Sequence, residues 1–215
     1  MKTLGTIATL LVLPALASAD IAVDPQDVSV LEDVGTFTVG IPVVLDAATT
    51  LGGYDINLDI TPQAPAPAGG LTFKFTPNGQ AAMNQLGGGT PAGGYLFQGG
   101  SAGQLVSLNS TNVAISVDDQ SDDVFFGETV PAGSYDLLEV NFVVSPATIW
   151  TDTGAGDLIY DVDITKIGFF DEYGDPVGGT VTADGFQVTI TPEPATLGLL
   201  GIGAIGLLLR RKRSA

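Results

Sequence analysis

The stretch GGYDINLDITP, residues 52–62, carries the clearest signal of fold class, because apolar and polar side chains alternate along it. The apolar positions are Tyr54, Ile56, Leu58 and Ile60. Successive side chains of a β-strand point to opposite faces of the sheet, so a period of two puts these four on one face. The segment therefore predicts a strand with one face against a core and the other toward water.

Runs of the same kind recur on both sides of this stretch, separated by Gly, Pro, Asp and Asn. The alternating sets are Leu71/Phe73/Phe75, Val113/Ile115/Val117, Leu138/Val140/Phe142/Val144 and Phe186/Val188/Ile190. Further strands are predicted at residues 28–30, 36–45, 95–97, 105–108 and 158–170, the last as two strands or one bent strand. The one predicted helix in this part of the chain is a short one at residues 81–86. About nine or ten strands without intervening helices predict an all-β fold, a two-sheet antiparallel β-sandwich.

The first 19 residues have the three parts of a secretory signal peptide. Lys2 gives a basic start, residues 4–16 are apolar, and Ala17-Ser18-Ala19 is a small-residue cleavage site. A buried N-terminal helix is the alternative, but Pro14 would break it. The sequence predicts a signal helix in residues 1–19, cleaved between Ala19 and Asp20, with Ala17 and Ala19 recognised.

The last residues predict a membrane tether. The motif Pro192-Glu193-Pro194 is followed by uncharged residues 195–209 and then by the basic run Arg210-Arg211-Lys212-Arg213. The apolar run would span roughly 22 Å as a helix, short of the roughly 30 Å hydrocarbon core, and the basic side chains can snorkel to make up length. We predict a single transmembrane helix at residues 196–209, with the basic end as a cytoplasmic membrane stop.

Charge is concentrated between these two ends. Residues 20–190 hold two lysines, Lys74 and Lys166, against 23 acidic residues, a formal charge of −21. A surface this negative repels phosphate backbones, which excludes nucleic acid as a partner. The chain has no cysteine, so disulfides and thiolate metal sites are excluded and stability must come from the core.

The absence of histidine removes much of the catalytic repertoire. Ser-His-Asp and Cys-His nucleophiles are excluded, which leaves carboxylate chemistry or a Ser-Lys dyad with Lys74 or Lys166. A glycosidase needs two carboxylates roughly 5–9.5 Å apart in a cleft, and no feature of the sequence singles out such a pair. We therefore expect no enzymatic activity and no catalytic residues.

Two acidic clusters supply the hard oxygen ligands that calcium takes. The first holds Asp118, Asp119, Asp122 and Asp123. The second is Asp161-Val162-Asp163, whose two carboxylates lie on one face of a predicted strand. Neither follows the EF-hand pattern, and solvated turns explain both clusters without a metal. Calcium is thus the one cofactor considered, and no other is expected.

Aromatic residues offer a second kind of site, a platform on which sugars stack. Most of the aromatic residues occupy alternating strand positions, where packing in the core is the better explanation. Trp150, the single tryptophan, stands outside that pattern. It is the aromatic residue that we would expect to contact a ligand.

The tail resembles a PEP-CTERM sorting signal, the C-terminal module of exported bacterial proteins. The tripeptide, the apolar span rich in small residues and the arginine-rich end occur in that order within residues 191–215. The resemblance implies that an exosortase-type enzyme, a membrane-embedded cysteine transpeptidase-like protein, recognises Pro192, Glu193 and Pro194 and acts near them. The short apolar span would then be a temporary tether.

Residues 35–44, 51–62 and 137–144 resemble strands of cohesin-like domains. Those domains are jelly-roll-like β-sandwiches that bind dockerin modules or act as adhesion and scaffold units. The resemblance implies a fold for residues 20–190, but it assigns no partner.

Three interpretations of function follow. The leading one is a non-catalytic exported surface or extracellular-matrix protein, held in the inner membrane during sorting. The second is a cell-surface module that binds a polysaccharide or a dockerin-type protein. The third, an enzyme, would require two convergent carboxylates in a cleft.

Overall fold

The structure is a computed structural model that describes residues 19–31, 34–74, 94–97, 105–121, 127–145 and 156–191. These residues form thirteen strands and include no α-helix. No helix within those ranges is long and apolar enough to cross a membrane. The predicted helices at residues 1–19, 81–86 and 196–209 lie outside them, apart from Ala19.

Two main sheets form a sandwich, as the sequence predicts. The five-stranded sheet has the order β12–β1–β3–β10–β6. Its strands are β1 (Ile21–Val23), β3 (Thr36–Leu45), β6 (Leu71–Phe73), β10 (Gly133–Val144) and β12 (Val181–Ala183).

The six-stranded sheet has the order β2–β13–β11–β5–β8–β7. Its strands are β2 (Val28–Leu31), β5 (Gly53–Pro62), β7 (Leu105–Leu108), β8 (Ala114–Gln120), β11 (Leu158–Phe170) and β13 (Phe186–Thr191). A small ribbon joins β4 (Thr49–Leu51) to β9 (Glu128–Val130). The prediction of an antiparallel sandwich is confirmed, with two exceptions: β1 pairs with β12, and β2 with β13, in parallel.

The core lies between the facing sides of the two sheets, and period-two alternation fills it. Ile56, Leu58 and Val117 are fully buried. The other described members of the predicted alternating sets are buried too, except Val113, which is half-buried against the same cluster. At roughly 25 cal/mol per Å² of apolar surface removed from water, these rows of side chains supply the main stabilising free energy.

Two irregularities in the strands change which side chains face the core. A register shift between Asp136 and Leu138 in β10 lets Leu137 and Leu138 both be buried. A second shift in β11, between Ile164 and Lys166, makes residues 158–170 one irregular strand. Before this shift Leu158, Tyr160 and Val162 are buried and Ile164 is half-buried; after it the buried residue is Phe169. Lys166 therefore lies on the outer face of the six-stranded sheet.

One predicted strand is wrong. Residues 95–97 form a single bridge from Tyr95 to Asp136 instead of a strand. All three of their side chains are buried, so the segment packs between the sheets and has no solvent face of the kind that a half-buried strand presents.

Candidate binding site: an acidic pocket at one end of the six-stranded sheet

The outer face of the six-stranded sheet is polar, because every second residue of its strands turns away from the core. It carries Asp55, Asn57 and Asp59 on β5, Ser116 and Asp118 on β8, and Asp161, Asp163 and Lys166 on β11. We call this surface the outer face. A shallow depression of about 270 Å³ lies on this face where β5, β8 and β7 run side by side, lined by Asn57, Asp59, Ser116 and neighbouring residues.

A deeper cavity of about 460 Å³ lies at one end of this face, and we call it the acidic pocket. Its walls are three segments: residues 52–55 at the start of β5, residues 118–120 at the end of β8, and residues 170–174 following β11. Five acidic residues line it. The Asp119 side chain points inward, and the other four bring negative charge to the cavity: Asp55, Asp118, Asp171 and Glu172.

Two adjacent glycines allow the three segments to meet. A side chain on Gly52 would collide with the backbone carbonyl of Asp171, and one on Gly53 would lie 2.8 Å from that of Asp119. The Gly52 N–H donates to the Phe170 carbonyl at 2.7 Å, and the Gly52 carbonyl accepts from the Ser121 N–H at 2.9 Å. Any larger residue would force these backbones apart and open the pocket.

The rim of the pocket is a tight turn after β11. One Asp171 carboxylate oxygen accepts hydrogen bonds from the N–H groups of Tyr173 at 2.9 Å and Asp175 at 3.0 Å. Gly174 has φ +81°, a left-handed conformation that suits glycine. The turn holds the Tyr173 ring in solvent, 79% exposed.

Asp55 is the buried carboxylate of the pocket. Its side chain is nine-tenths buried and one oxygen, Oδ2, forms an ion pair with Lys166. The other oxygen, Oδ1, has no hydrogen-bond partner among the described residues. The hydrogen bond and the charge of Asp55 raise the pKa of Lys166, and Asp118 adds to the rise, while desolvation opposes it. The site therefore favours an ammonium group.

A hydrogen-bonded cluster lies on the inward side of the same strands. The Tyr54 hydroxyl donates to the Leu137 carbonyl at 2.9 Å, and the Tyr95 hydroxyl donates to Asp119. Asp119 is 1% exposed. Because these polar groups are satisfied inside the sandwich, they hold the end of β8 in place beneath the pocket.

The structure separates the predicted calcium ligands of the first cluster. Asp118 lies on the outer face and Asp119 points inward, because adjacent strand residues face opposite ways. Asp122 and Asp123 lie outside the described residues. Within the described ranges no three acidic side chains are placed to hold a metal ion. Calcium binding at this cluster stays a prediction.

The second cluster does lie on one face of β11. Asp161 accepts from Gln63 Nε2, at 2.7 and 2.8 Å, and from Gln187 Nε2 at 3.0 Å. Asp163 lies opposite Asp59 of β5. Amide groups thus take up the hydrogen-bonding capacity that a metal at Asp161 would use.

Of the residues predicted for signal-peptide cleavage and C-terminal sorting, the structure describes Ala19 and Asp20. Ala19 is 3% exposed, and the Asp20 N–H donates to an Asp46 carboxylate oxygen at 2.8 Å. Ala17, Trp150, the Pro192-Glu193-Pro194 motif and the basic run at residues 210–213 lie outside the described residues.

Sequence reasoning missed Asp55 and the turn at residues 171–175 as parts of a site. Asp55 stands at an ordinary polar position of an alternating strand, so nothing local marks it. The Gly52-Gly53 pair and the sequence DEYGD at residues 171–175 are the signals that could have indicated a close approach and a tight turn.

Comparison with known proteins identifies two features. Residues 191–213 match the family of the PEP-CTERM protein-sorting motif. No curated protein matches the chain. The cohesin of a Coh-OlpC–Doc435 cohesin–dockerin complex from Clostridium thermocellum is similar in structure, with a TM-score of 0.55 and 12% identity over 82% of this chain and 95% of that chain.

A second similar structure is the third cohesin of ScaC from Acetivibrio cellulolyticus, in complex with the ScaB dockerin. Its TM-score is 0.52, with 11% identity over 80% of this chain and 99% of that chain. The protein is thus an all-β sandwich with a cohesin-like fold. It carries a PEP-CTERM sorting motif at its C-terminal end, which is the mark of an exported, exosortase-processed protein.

Proposed function

We propose that this protein is a non-catalytic surface or extracellular-matrix protein, processed near Pro192-Glu193-Pro194 by an exosortase-type enzyme. One observation carries the proposal: β13, the last strand among the described residues, runs to Thr191 and so holds the chain in the sandwich up to the residue before the tripeptide. The Thr191 hydroxyl donates to the Val30 carbonyl at 3.2 Å, and β13 pairs with both β2 and β11. A cut beyond Thr191 would leave every described strand in place.

The two ends of the chain direct its export and hold it at the membrane. The signal peptide at residues 1–19 directs the chain across the inner membrane, and residues 196–209 tether it there with the basic end in the cytoplasm. Residues 20–190 then lie outside the cytoplasm, where an acidic, cysteine-free domain stays soluble through its net charge. Processing at the tripeptide frees the domain from the tether.

The non-catalytic part of the proposal rests on the pocket. Its buried carboxylate, Asp55, is engaged by Lys166. The chain offers no histidine or cysteine to act as base or nucleophile. The arrangement suits charge recognition better than chemistry on a substrate.

Removal of the exosortase-type enzyme from the producing bacterium tests the sorting step. We expect the tailed chain to accumulate in the inner-membrane fraction, where antibodies to the domain would detect it. A strain that carries the enzyme with its catalytic cysteine replaced by alanine is the matched control and should behave like the deletion. A distribution identical in all strains would contradict the proposal.

A second candidate function, a protein-binding module at the cell surface, is supported by the outer face. Both cohesins named above are found in complexes with dockerins. Among the described aromatic residues only Tyr173 is strongly exposed, and one ring does not make the strip on which a polysaccharide stacks. The polar, regular outer face therefore favours a protein of dockerin type over a polysaccharide.

Paired arginine substitutions test this second function. Ser116→Arg places a bulky cation in the shallow depression of the outer face, and Thr36→Arg makes the same change on the exposed side of β3, in the other sheet. In cross-linking on intact cells, we expect Ser116→Arg to abolish a specific cross-linked product that Thr36→Arg retains. Equal products from both variants would contradict binding through the outer face.

A further inference from the structure

We propose that the acidic pocket receives the cationic end of a lysine or arginine side chain from a partner protein. This inference rests on the proposed protein-binding function and names the chemistry that the partner presents. It concerns the end of the sheet formed by residues 52–55, 118–120 and 170–174 and not the shallow depression of the outer face.

The walls combine the two groups that recognise organic cations. Asp118 and Glu172 supply carboxylates, and Phe170 and Tyr173 supply aromatic rings. Carboxylates attract a cation by charge, and ring faces attract it through their quadrupole while packing against its aliphatic stem. The volume of about 460 Å³ lies within the roughly 300–1,000 Å³ usual for ligand pockets.

The chain's own lysine indicates what the pocket prefers. Lys166 is 60% exposed, yet it lies against Asp55, and the carboxylates of Asp55 and Asp118 raise its pKa. One ammonium cannot offset the four acidic side chains of the pocket. The Oδ1 atom of Asp55 is buried without a hydrogen bond among the described residues, so the Lys166 ion pair at Oδ2 is the one described contact that balances this carboxylate.

The geometry favours an organic cation over a metal ion. Within the described part of the chain no three carboxylates converge as calcium coordination requires. The carboxylates are instead distributed around a cavity that also has aromatic walls, which a bare ion would not use. A side chain with an apolar stem and a charged tip matches both components.

The pocket is also built before any partner arrives. The close backbone contacts at Gly52 and Gly53 and the hydrogen-bonded turn at Asp171 fix its walls. A pre-organised site spends less free energy on ordering when it binds. The exposed Tyr173 ring can then pack against an incoming stem without a backbone change.

Short peptides test the inference on the full-length chain in non-ionic detergent. The probes are acetyl-Gly-Lys-Gly-amide and acetyl-Gly-Arg-Gly-amide, and the neutral controls replace the central residue with norleucine and citrulline. Saturation-transfer NMR should show transfer to the side-chain methylene protons of the two cationic peptides and none to the controls. Binding should weaken as salt screens the carboxylates.

Variants place the binding at the pocket. Glu172→Gln combined with Tyr173→Ala should lower the affinity for the cationic peptides about tenfold or more, because one charge contact and one ring contact are lost. Asp163→Asn, on the same face but outside the pocket, is the control and should retain the affinity. Since these side chains lie at the surface, unchanged far-UV spectra and melting curves should accompany all variants.

Three outcomes would overturn the inference: equal binding of neutral peptides, no effect of the pocket variant, or displacement of the peptide by stoichiometric calcium. The last would identify a metal site instead. Failure of the inference is distinguishable from failure of the protein-binding proposal. If the cell-surface partner is lost with Ser116→Arg but bound normally by Glu172→Gln/Tyr173→Ala, the binding function stands and the pocket inference fails.

Discussion

Gly168 lies opposite Asp55 on the neighbouring strand, and its missing side chain makes room for the buried carboxylate. An added Cβ would lie 2.5 Å from Asp55 Oδ1 and 3.0 Å from the Phe170 ring. The first contact is closer than side chains tolerate, so Asp55 must move, and the second is tight enough that the Phe170 ring must give slightly. The position of Asp55 in the wall of the acidic pocket therefore depends on the absence of a side chain at Gly168.

We expect Gly168→Ala to reduce the free energy of unfolding by about 1–3 kcal/mol, the usual cost of overpacking. Gly40→Ala is the matched control in β3, where an added Cβ meets nothing within 4 Å. It should be neutral or slightly stabilising, because alanine restricts the unfolded chain. Urea denaturation of both variants measures the difference; equal stabilities would mean that the close contact at Gly168 is relieved without cost.

Tyr54 joins the two sheets at the end of the sandwich below the pocket. Its ring is 2% exposed and its hydroxyl donates to the Leu137 carbonyl across the core. Tyr54→Phe should cost about 1–2 kcal/mol of stability, because a buried carbonyl loses its donor. Tyr135→Phe loses a similar bond, to the Pro131 carbonyl, at a half-exposed site where water can replace it. Thermal unfolding should show a clear shift for the first variant and little for the second.

Burial of Tyr160 makes the free energy of unfolding fall at alkaline pH. Burial raises its pKa from the usual 10.0 to about 12. In the unfolded chain the phenol loses its proton first, so its contribution is complete below pH 10 and is lost between pH 10 and 12. Tyr160→Phe should flatten the decline of stability in that window. Part of the decline should remain, because Lys166 also loses its proton, and with it the ion pair to Asp55, as the pH rises; the pKa of Lys166 is raised above 10.5.

Among the elements, the six long strands and the short strands β2, β6 and β7 could be predicted, whereas β1, β4, β9 and β12 could not. Period-two alternation located β5, β8 and β13, because several apolar residues in each share one face. β1 and β12 have three residues each, too few for a period to show. The shift in β10 was missed as well, since it breaks the alternation at Leu137, a residue buried beside another buried residue.

β13 is the last strand that the structure describes, and it lies inside the six-stranded sheet. Because β13 pairs with β2 and β11, the domain should tolerate a chain that stops at Thr191 and fail with one that stops at Gly185. Removing β13 would take Phe186, Val188 and Ile190 out of the core and expose the side chains that pack against them. We expect a cooperative melting transition near that of the longer chain for the first truncation and none for the second. A normal transition without β13 would show that the strand is dispensable.

At the scale of the molecule, sequence reasoning predicted the class of fold and the sorting tail but not the pocket. The pocket joins segments around residues 53, 119 and 172, which are far apart in the chain. Their meeting depends on the strand order β11–β5–β8, and that order is a property of the whole sheet. The tail, by contrast, is a continuous motif, so the sequence alone was sufficient.

The domain at residues 20–190 and the tail differ in charge. The domain holds 23 of the 24 acidic residues and two of the seven basic ones, whereas the run at residues 210–213 is wholly basic. Loss of the tail therefore removes positive charge and apolar surface together. What remains is a strongly acidic sandwich, suited to a wet surface and to cationic partners.

The intact mass of the protein recovered from its native envelope is the measurement to make first. The wild type is compared with a variant carrying Pro192→Ala, Glu193→Ala and Pro194→Ala, which leaves the sandwich and the apolar span unchanged. We expect a wild-type species that begins at Asp20 and ends near Pro194, and a variant that keeps its tail to Ala215. Chains that end at Ala215 in both samples would contradict processing at the motif and make the tail a permanent anchor.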